Sequence, residues 1–211
     1  MNRLRGRLPR PGDDRGLTLV ELLVYSVLLV VALALVGALM QRTVESQRDV
    51  RSVAEAASSA QAAAASVETG VRSAAAMKYS PLAGGDEQLI VRTQTGPAGA
   101  PVWSCQAWFY DASDKTLYVK RVPSSGAAPA ALQVPTTPGQ FTTWTSLGVG
   151  ISAWPSGAKA FVLNSTSPPT TVHLGIRVAA AKRQPVEIST SFTRRPQGSG
   201  QEGVGTPCFS P

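Results

Sequence analysis

The sequence predicts an α+β protein. One long N-terminal helix, transmembrane in its first part and amphipathic in its second, packs on a C-terminal, mostly antiparallel β-sheet. Three observations predict this. Residues 16 to 40 form an apolar run that contains a single acid, Glu21. Beyond it, helix-forming residues continue without proline as far as Ser80. From Leu89 onward, short segments rich in apolar residues are separated by clusters of Pro, Gly, Ser and Asp. A helix followed by a run of strands is the pattern of α+β proteins, in which helix and sheet form separate layers.

The chain opens with a basic arm. Residues 1 to 16 carry Arg3, Arg5, Arg7, Arg10 and Arg15 against Asp13 and Asp14, a net of +3, while Pro9, Pro11 and the glycines oppose helix. A basic flank stays on the cytoplasmic side of a membrane, which puts the rest of the protein outside. The 24 residues from Leu17 to Met40 span about 36 Å as a helix at 1.5 Å per residue, enough for a hydrocarbon core of about 30 Å. Glu21 is the anomaly in this run. An ionised side chain at mid-bilayer costs roughly 2.5 to 3.5 kcal/mol, so an acid in such a segment calls for a partner.

The hexapeptide Gly16-Leu17-Thr18-Leu19-Val20-Glu21 behind a short basic leader resembles the N-terminus of type IV pilins and of type II secretion pseudopilins. In that family a Gly precedes the cut and is followed by a hydrophobic residue, Thr, Leu, any residue and Glu. Leu17 stands where the family more often has Phe or Met. The resemblance implies cleavage between Gly16 and Leu17 by prepilin peptidase, with methylation of the new amino terminus at Leu17. It implies that Glu21 pairs with the terminal amine of a neighbouring subunit during assembly. The implied partners are prepilin peptidase, other pilins or pseudopilins and an inner-membrane assembly platform, with no cofactor. Nucleic acid enters only if the filament serves DNA uptake. The implied location is the cytoplasmic membrane, single-pass, with the N-terminus inside and the C-terminal domain outside, then an extracellular or envelope filament after assembly. The implied fold is pilin-like.

Two other readings stand beside this one. The first is a secretory signal peptide cut near Ala32-Leu33-Ala34 or Gly37-Ala38. Against it, the apolar stretch from Leu22 to Met40 has 19 residues, where a signal-peptide core has about 7 to 15. The second is a membrane-anchored or secreted β-rich binding module with a pilin-like start.

The organisation that follows is a leader over 1–16, a transmembrane helix over 17–40, its amphipathic continuation over 41–78, a β-sheet region over 79–196 and a tail over 197–211. In the continuation, Val50, Val53, Ala57, Ala60, Ala64, Val67, Val71 and Ala74 recur at spacings of three and four, a narrow apolar seam. The helix is expected to run from Leu17 to about Met77, with Gly70 as a weak point and Ser80-Pro81 and Gly84-Gly85-Asp86 as terminators. The Ala-rich seam fits close packing on a sheet, and a coiled-coil dimer is its alternative use.

Leu89 to Thr93, Trp103 to Tyr110 and Leu117 to Val122 read as strands, the last two joined by a turn at Asp111–Lys115. Residues 123 to 140 read as a surface loop, and Ala160 to Leu163 as a short strand. Val172, Leu174, Ile176 and Val178 alternate with His173, Gly175 and Arg177, and Val186, Ile188 and Phe192 with Glu187, Ser189 and Ser191, two strands with one buried and one wet face each. Trp108-Phe109-Tyr110 before the turn, Leu117-Tyr118 after it and the closing Thr193-Arg194-Arg195 resemble minor pseudopilins of the J or PilW-like type.

Composition argues against several functions. The formal charge is +7, of which the leader supplies +3, and no Lys/Arg cluster is interleaved with aromatics as nucleic-acid binding would require. Two cysteines and one His make a poor zinc set. Cys105 and Cys208 in an exported domain most simply form one disulfide, with two unpaired thiols as the alternative. A C-terminal loop closed in this way is also what the pilin resemblance implies.

No catalytic constellation stands out. His173 falls on the wet face of its strand, and Asp111 and Asp114 are turn residues. Leu147 to Ile151 lacks the Lys and the strand-to-helix context of a phosphate loop. Trp103, Trp108, Trp144 and Trp154 are either core or a carbohydrate platform.

Overall fold

The computed structural model describes residues 18–95, 102–125, 127–135, 138–166, 168–195 and 208–209. The leader and both residues of the expected cleavage site, Gly16 and Leu17, lie outside them. The chain divides into two units, one ending at Gln47 and the other beginning at Arg48. Helix α1 (Leu19–Arg72) contributes to both.

In the first unit every residue from Thr18 to Gln47 is exposed. The exposed side chains include the whole apolar series from Leu19 to Met40. This helix is long and apolar enough to cross a membrane.

The second unit carries the sheet region. Strands β1 (Ala74–Pro81), β2 (Glu87–Thr95), β3 (Val102–Asp111), β4 (Thr116–Pro123) and β5 (Thr145–Val149) form an antiparallel sheet in sequence order. A second sheet is centred on β8 (Thr171–Ala180). One edge of β8 takes β9 (Arg183–Thr193), and the other takes β6 (Ile151–Ala153) and β7 (Phe161–Leu163) in line, opposite Val178–Ile176 and Leu174–Val172. The expected α+β architecture is therefore present, with the sheet region split in two.

Both sheets turn an apolar face to the C-terminal part of α1. Leu89, Val91, Trp108, Tyr110 and Leu117 of the first sheet share one core with Val172, Leu174, Ile176, Val178 and Phe192 of the second and with the helix. The helix face they meet is made of small residues: Ala56, Ala60, Ala63, Val67, Gly70 and Val71 are buried. Most of the expected seam is in this core: Ala60, Val67, Val71 and Ala74 are buried and Val53 and Ala64 pack partly buried against it, while Val50 is 66% exposed and Ala56, Ala63 and Gly70 are added. Hydrophobicity favours valines, whereas close approach of a helix to two sheets favours the positions with the least side chain.

Gly70 shows why. The fully buried Trp108 indole lies against it, so that a Cβ there would overlap the ring. Trp108 Nε1–H also donates to Ser66 Oγ at 2.9 Å, one helical turn earlier. The residue that looked like a weak point is the notch into which the central strand docks.

The helix ends five residues before the expected Met77. Ser73 Oγ donates back to the Thr69 carbonyl at 2.8 Å, and the Arg195 N–H reaches the Arg72 carbonyl at 3.3 Å, taking up carbonyls that a further turn would use. Ala74 to Pro81 then forms β1, paired along its length with β2. Alanine favours helix, but burial of Ala74, Ala75 and Met77 and a full ladder outweigh the propensity difference of less than about 1 kcal/mol per residue. Gly84 and Gly85, both at positive φ, make the β1–β2 turn in place of the expected helix stop.

Two edges join the sheets. Glu87 at the start of β2 is 4% exposed. Its carboxylate accepts the Ala160 N–H at 2.7 Å, the Phe161 N–H at 3.0 Å and the Tyr79 hydroxyl at 3.2 Å. Burial, and next the Glu87 charge beside it, push the Tyr79 hydroxyl above the ordinary tyrosine range. At the other join, the Arg194 guanidinium donates to the Ala75 carbonyl at 2.9 Å.

The segment expected as a surface loop is partly a cover. It holds α2 (Ala128–Ala131) and a 3-10 turn (Pro138–Thr143). Ala128, Leu132 and Trp144 are buried with Ile90, Ala107 and Phe109 on the outer face of the first sheet. Phe109 and Tyr118 stack with centroids 6.3 Å apart, and Phe141 lies 4.6 Å from Tyr118. Strand β3 is consequently buried on both faces.

Gly70→Ala separates propensity from packing. Helix propensity alone predicts a gain of about 1 kcal/mol, whereas the overlap with a hydrogen-bonded, buried indole predicts a net loss of about 1–3 kcal/mol. Thermal unfolding of the full chain in detergent should show a lower melting temperature. Adding Trp108→Phe, which removes the overlapping ring edge, should make the pair non-additive. A raised melting temperature for Gly70→Ala would show that the notch carries no constraint.

Candidate assembly site

The N-terminal turn of α1 is built around Thr18 and Glu21. The Glu21 N–H donates to Thr18 Oγ1 at 3.3 Å, so Thr18 caps the helix and Glu21 occupies the third position of a Thr-x-x-Glu capping box. The reciprocal bond is not made among the described residues. Instead the Glu21 carboxylate accepts the Tyr25 hydroxyl at 3.2 Å, one turn on, and stays exposed. A carboxylate has about four acceptor positions, so one intrahelical donor leaves most of its capacity for a partner outside the chain. Its place in the first turn also suits a negative charge, because the helix N-terminus is the positive end of the macrodipole.

Sequence reasoning singled out Glu21 and placed Thr18 in its motif, but missed the capping role of Thr18 and the partner Tyr25. The signals were present: Thr18 three residues before an acid is a cap spacing, and Tyr25 four residues after it is on the same helix face. In the rest of the first unit, Ser26 and Thr43 close bonds onto the helix itself, to the carbonyls of Leu23 and Leu39 at 2.8 and 2.9 Å. Hydroxyls satisfied in this way add little cost to an apolar surface.

The second expected site is the cysteine pair. Cys105 and Cys208 form a disulfide with Cα atoms 5.4 Å apart, across a separation of 103 residues. Cys105 is on the outer face of β3, and both residues are fully buried in the cluster with Leu132 and Trp144. Of the tail beyond Arg195, Cys208 and Phe209 are described, and Phe209 packs on the same cluster. The bond therefore fastens the C-terminal region over the central strand, opposite the face that receives the helix.

The remaining candidates separate. His173 is on the outer face of β8, 3.1 Å from Ser191 Oγ and 3.4 Å from Ser189 Oγ. Asp111 Oδ1 accepts the N–H groups of Ser113 and Asp114, both at 2.9 Å, which is turn chemistry. The tryptophans do not share a platform. Trp108 faces the helix and Trp144 the opposite side of the sheet, while Arg92 covers Trp103 at 4.1 Å and Arg177 covers Trp154 at 3.8 Å. Among the described residues no group of three or more His, Cys, Asp or Glu side chains is placed to hold a metal ion.

Losing the disulfide should be costly, because it closes a loop of about 100 residues and anchors the outer cover. Cys208→Ser is expected to destabilise the full chain in detergent by roughly 2–5 kcal/mol. Reductant should lower the melting temperature of the wild type and leave that of the variant unchanged. Non-reducing peptide mapping that found two free thiols in protein from the cell envelope would count against this.

No family model, curated protein or solved structure matches the chain in comparisons of its sequence and fold.

Proposed function

We propose that this chain is a non-enzymatic structural subunit, a minor one, of a type IV pilus or type II secretion pseudopilus. It is made as a membrane-anchored precursor, cut after Gly16 by prepilin peptidase, methylated at Leu17 and drawn by an inner-membrane platform into a filament with other pilins or pseudopilins. Its basic leader stays inside the cell and its C-terminal domain outside.

The observation that carries the reading is Glu21. It is an exposed carboxylate in the first turn of a helix whose other exposed residues to Met40 are almost all apolar, with a single intrahelical donor. A bilayer or a bundle of like helices would cover that apolar surface, and burying the carboxylate unpaired would then cost several kcal/mol. The amine created at Leu17 supplies a cation on the neighbouring subunit at the matching end of the helix. The pairing therefore makes assembly depend on processing. The Pro/Ser/Gly-rich segment between β4 and β5 favours a minor over a major subunit, since major pilins tend to be compact.

Processing is tested by intact mass. Mature protein from the membrane fraction should begin at Leu17 and carry one added methyl group, and Gly16→Leu should leave the precursor full length. A wild-type chain that begins after Ala34 or Ala38 would sink the proposal in favour of a signal peptide.

Assembly is tested separately. Glu21→Ala should be cleaved and methylated normally, yet be lost from sheared surface filaments, while Glu21→Asp should retain part of its incorporation. Incorporation of Glu21→Ala at the wild-type level would refute the pairing role.

A further inference from the structure

We propose that the free edge of β4, from Lys120 to Pro123, docks an extended acidic peptide segment of another protein, which adds to the first sheet as a short strand in line with β5. This does not depend on how the N-terminus is processed.

The edge is defined by pairing. Strand β5 covers β4 only from Thr116 to Val119, and Lys120 to Pro123 have no partner on that side among the described residues. The ladder on the other side shows which backbone groups face outward. The Ser124 N–H donates to the Trp103 carbonyl at 3.0 Å, so Trp103 and Ser124 form a hydrogen-bonded pair. Hydrogen-bonded and non-bonded pairs alternate along an antiparallel ladder. Arg121, opposite Gln106, and Pro123, opposite Ser104, are therefore non-bonded toward β3 and turn their backbone groups to the open edge. Proline has no N–H, which leaves the Arg121 N–H and the carbonyls of Arg121 and Pro123. Both residues are exposed.

In front of this edge is an open cleft of about 710 Å³, within the usual range of roughly 300–1,000 Å³ for ligand clefts. Ser66 and Thr69 of α1 form one wall, Thr143 and Thr145 the other. Small side chains on both walls leave width for an added backbone. Lys120 and Arg121 leave β4 on opposite faces, and both line the cleft because it lies at the strand's edge.

Charge selects the occupant. Lys120 Nζ donates to Thr143 Oγ1 at 2.9 Å and lies 5.7 Å from the Trp144 ring, and Arg121 Nε donates to Ser104 Oγ at 2.9 Å. Neither cation has a carboxylate partner among the described residues. Cations and proline on an edge commonly discourage strand pairing. Here they exclude a second copy of the same edge, which would set Arg121 and Lys120 against like charges, and neutral strands gain nothing from them. An acidic strand meets two unneutralised cations and three free backbone groups together, the combination of main-chain affinity and side-chain selection that strand addition uses.

The test is fluorescence anisotropy with the full chain in detergent micelles and a labelled octapeptide of alternating glutamate and valine. Controls are the same peptide with lysine for glutamate, and two versions N-methylated at alternate residues, one for each set of N–H groups. The acidic peptide should bind, more weakly as salt is raised, and the lysine peptide should not. One of the two N-methylated forms should bind about tenfold or more weakly, since it loses the backbone donors that face β4. Arg121→Gln and Lys120→Gln, with melting temperatures unchanged, should each weaken binding several-fold, and Arg121→Glu should abolish it. The proposal is overturned if the acidic peptide does not bind or if both N-methylated forms bind as tightly as the parent, which would indicate a simple anion site. It is equally overturned if either neutralised variant binds like the wild type.

Discussion

The contact on which the second unit depends is the Trp108 indole seated on Gly70 and tied to Ser66. It sets how near the central strand comes to α1, and every other layer is stacked from there. On the far side of β3, Phe109, Ala107 and Cys105 carry the aromatic cover and the disulfide. The strand is thus held by a large side chain pressed into a small-residue helix on one face and by a covalent bond on the other. Interiors packed to crystal-like density tolerate little change of volume at such a point. The small residues Ala56, Ala60 and Ala63 belong to the same solution. They let one helix serve two sheets, where larger side chains would have kept one of them away.

The two sheets need a join that survives burial, and Glu87 provides it. An ionised carboxylate in a closed interior is tolerable only with several donors. Glu87 has two backbone N–H groups from the start of β7 and the Tyr79 hydroxyl from β1. Lys159 lies over the same tyrosine ring at 5.3 Å, so a cation is near without a direct ion pair. Polar joins of this kind are sensitive to register, because a slip of one residue in β2 would carry Glu87 to the other face. The apolar core drives the sheets together, and the carboxylate decides how they align.

Much of this was legible in the sequence where side-chain periodicity reports burial. The alternation in β8 and β9 placed their inner faces correctly, and the Asp111–Lys115 turn joined β3 to β4. What was hidden followed from contacts distant in the chain. Ala74 to Pro81 has helical composition, and only its ladder with β2 and the arrival of Arg194 and Arg195 make it a strand. Strands β5 and β6 are five and three residues long, too short for alternation to register, and a glycine separates them. Periodicity located most of the helix seam but not Ala56, Ala63 and Gly70 beside it, because the burial of such small residues is decided by the shape of what docks there. At the candidate assembly site the acid and the threonine of its motif were conspicuous, whereas the capping bond of that threonine and the tyrosine partner were not, because neither is unusual in a helix.

The two units have opposite balances of apolar surface. In the second, most of the large apolar side chains among the described residues have found a place in one of two cores. In the first, the side chains from Leu19 to Met40 have found none. At about 25 cal/mol per Å² of apolar area, leaving such a surface in water is far more costly than the net stability of about 5–15 kcal/mol that holds a domain together. The helix that carries this surface is long and apolar enough to cross a membrane, where lipid or other helices would cover it. Whatever covers it must also accommodate Glu21, and lipid tails offer a carboxylate nothing. Under the proposed function, a neighbouring helix that brings a cation to the level of the first turn would meet both requirements.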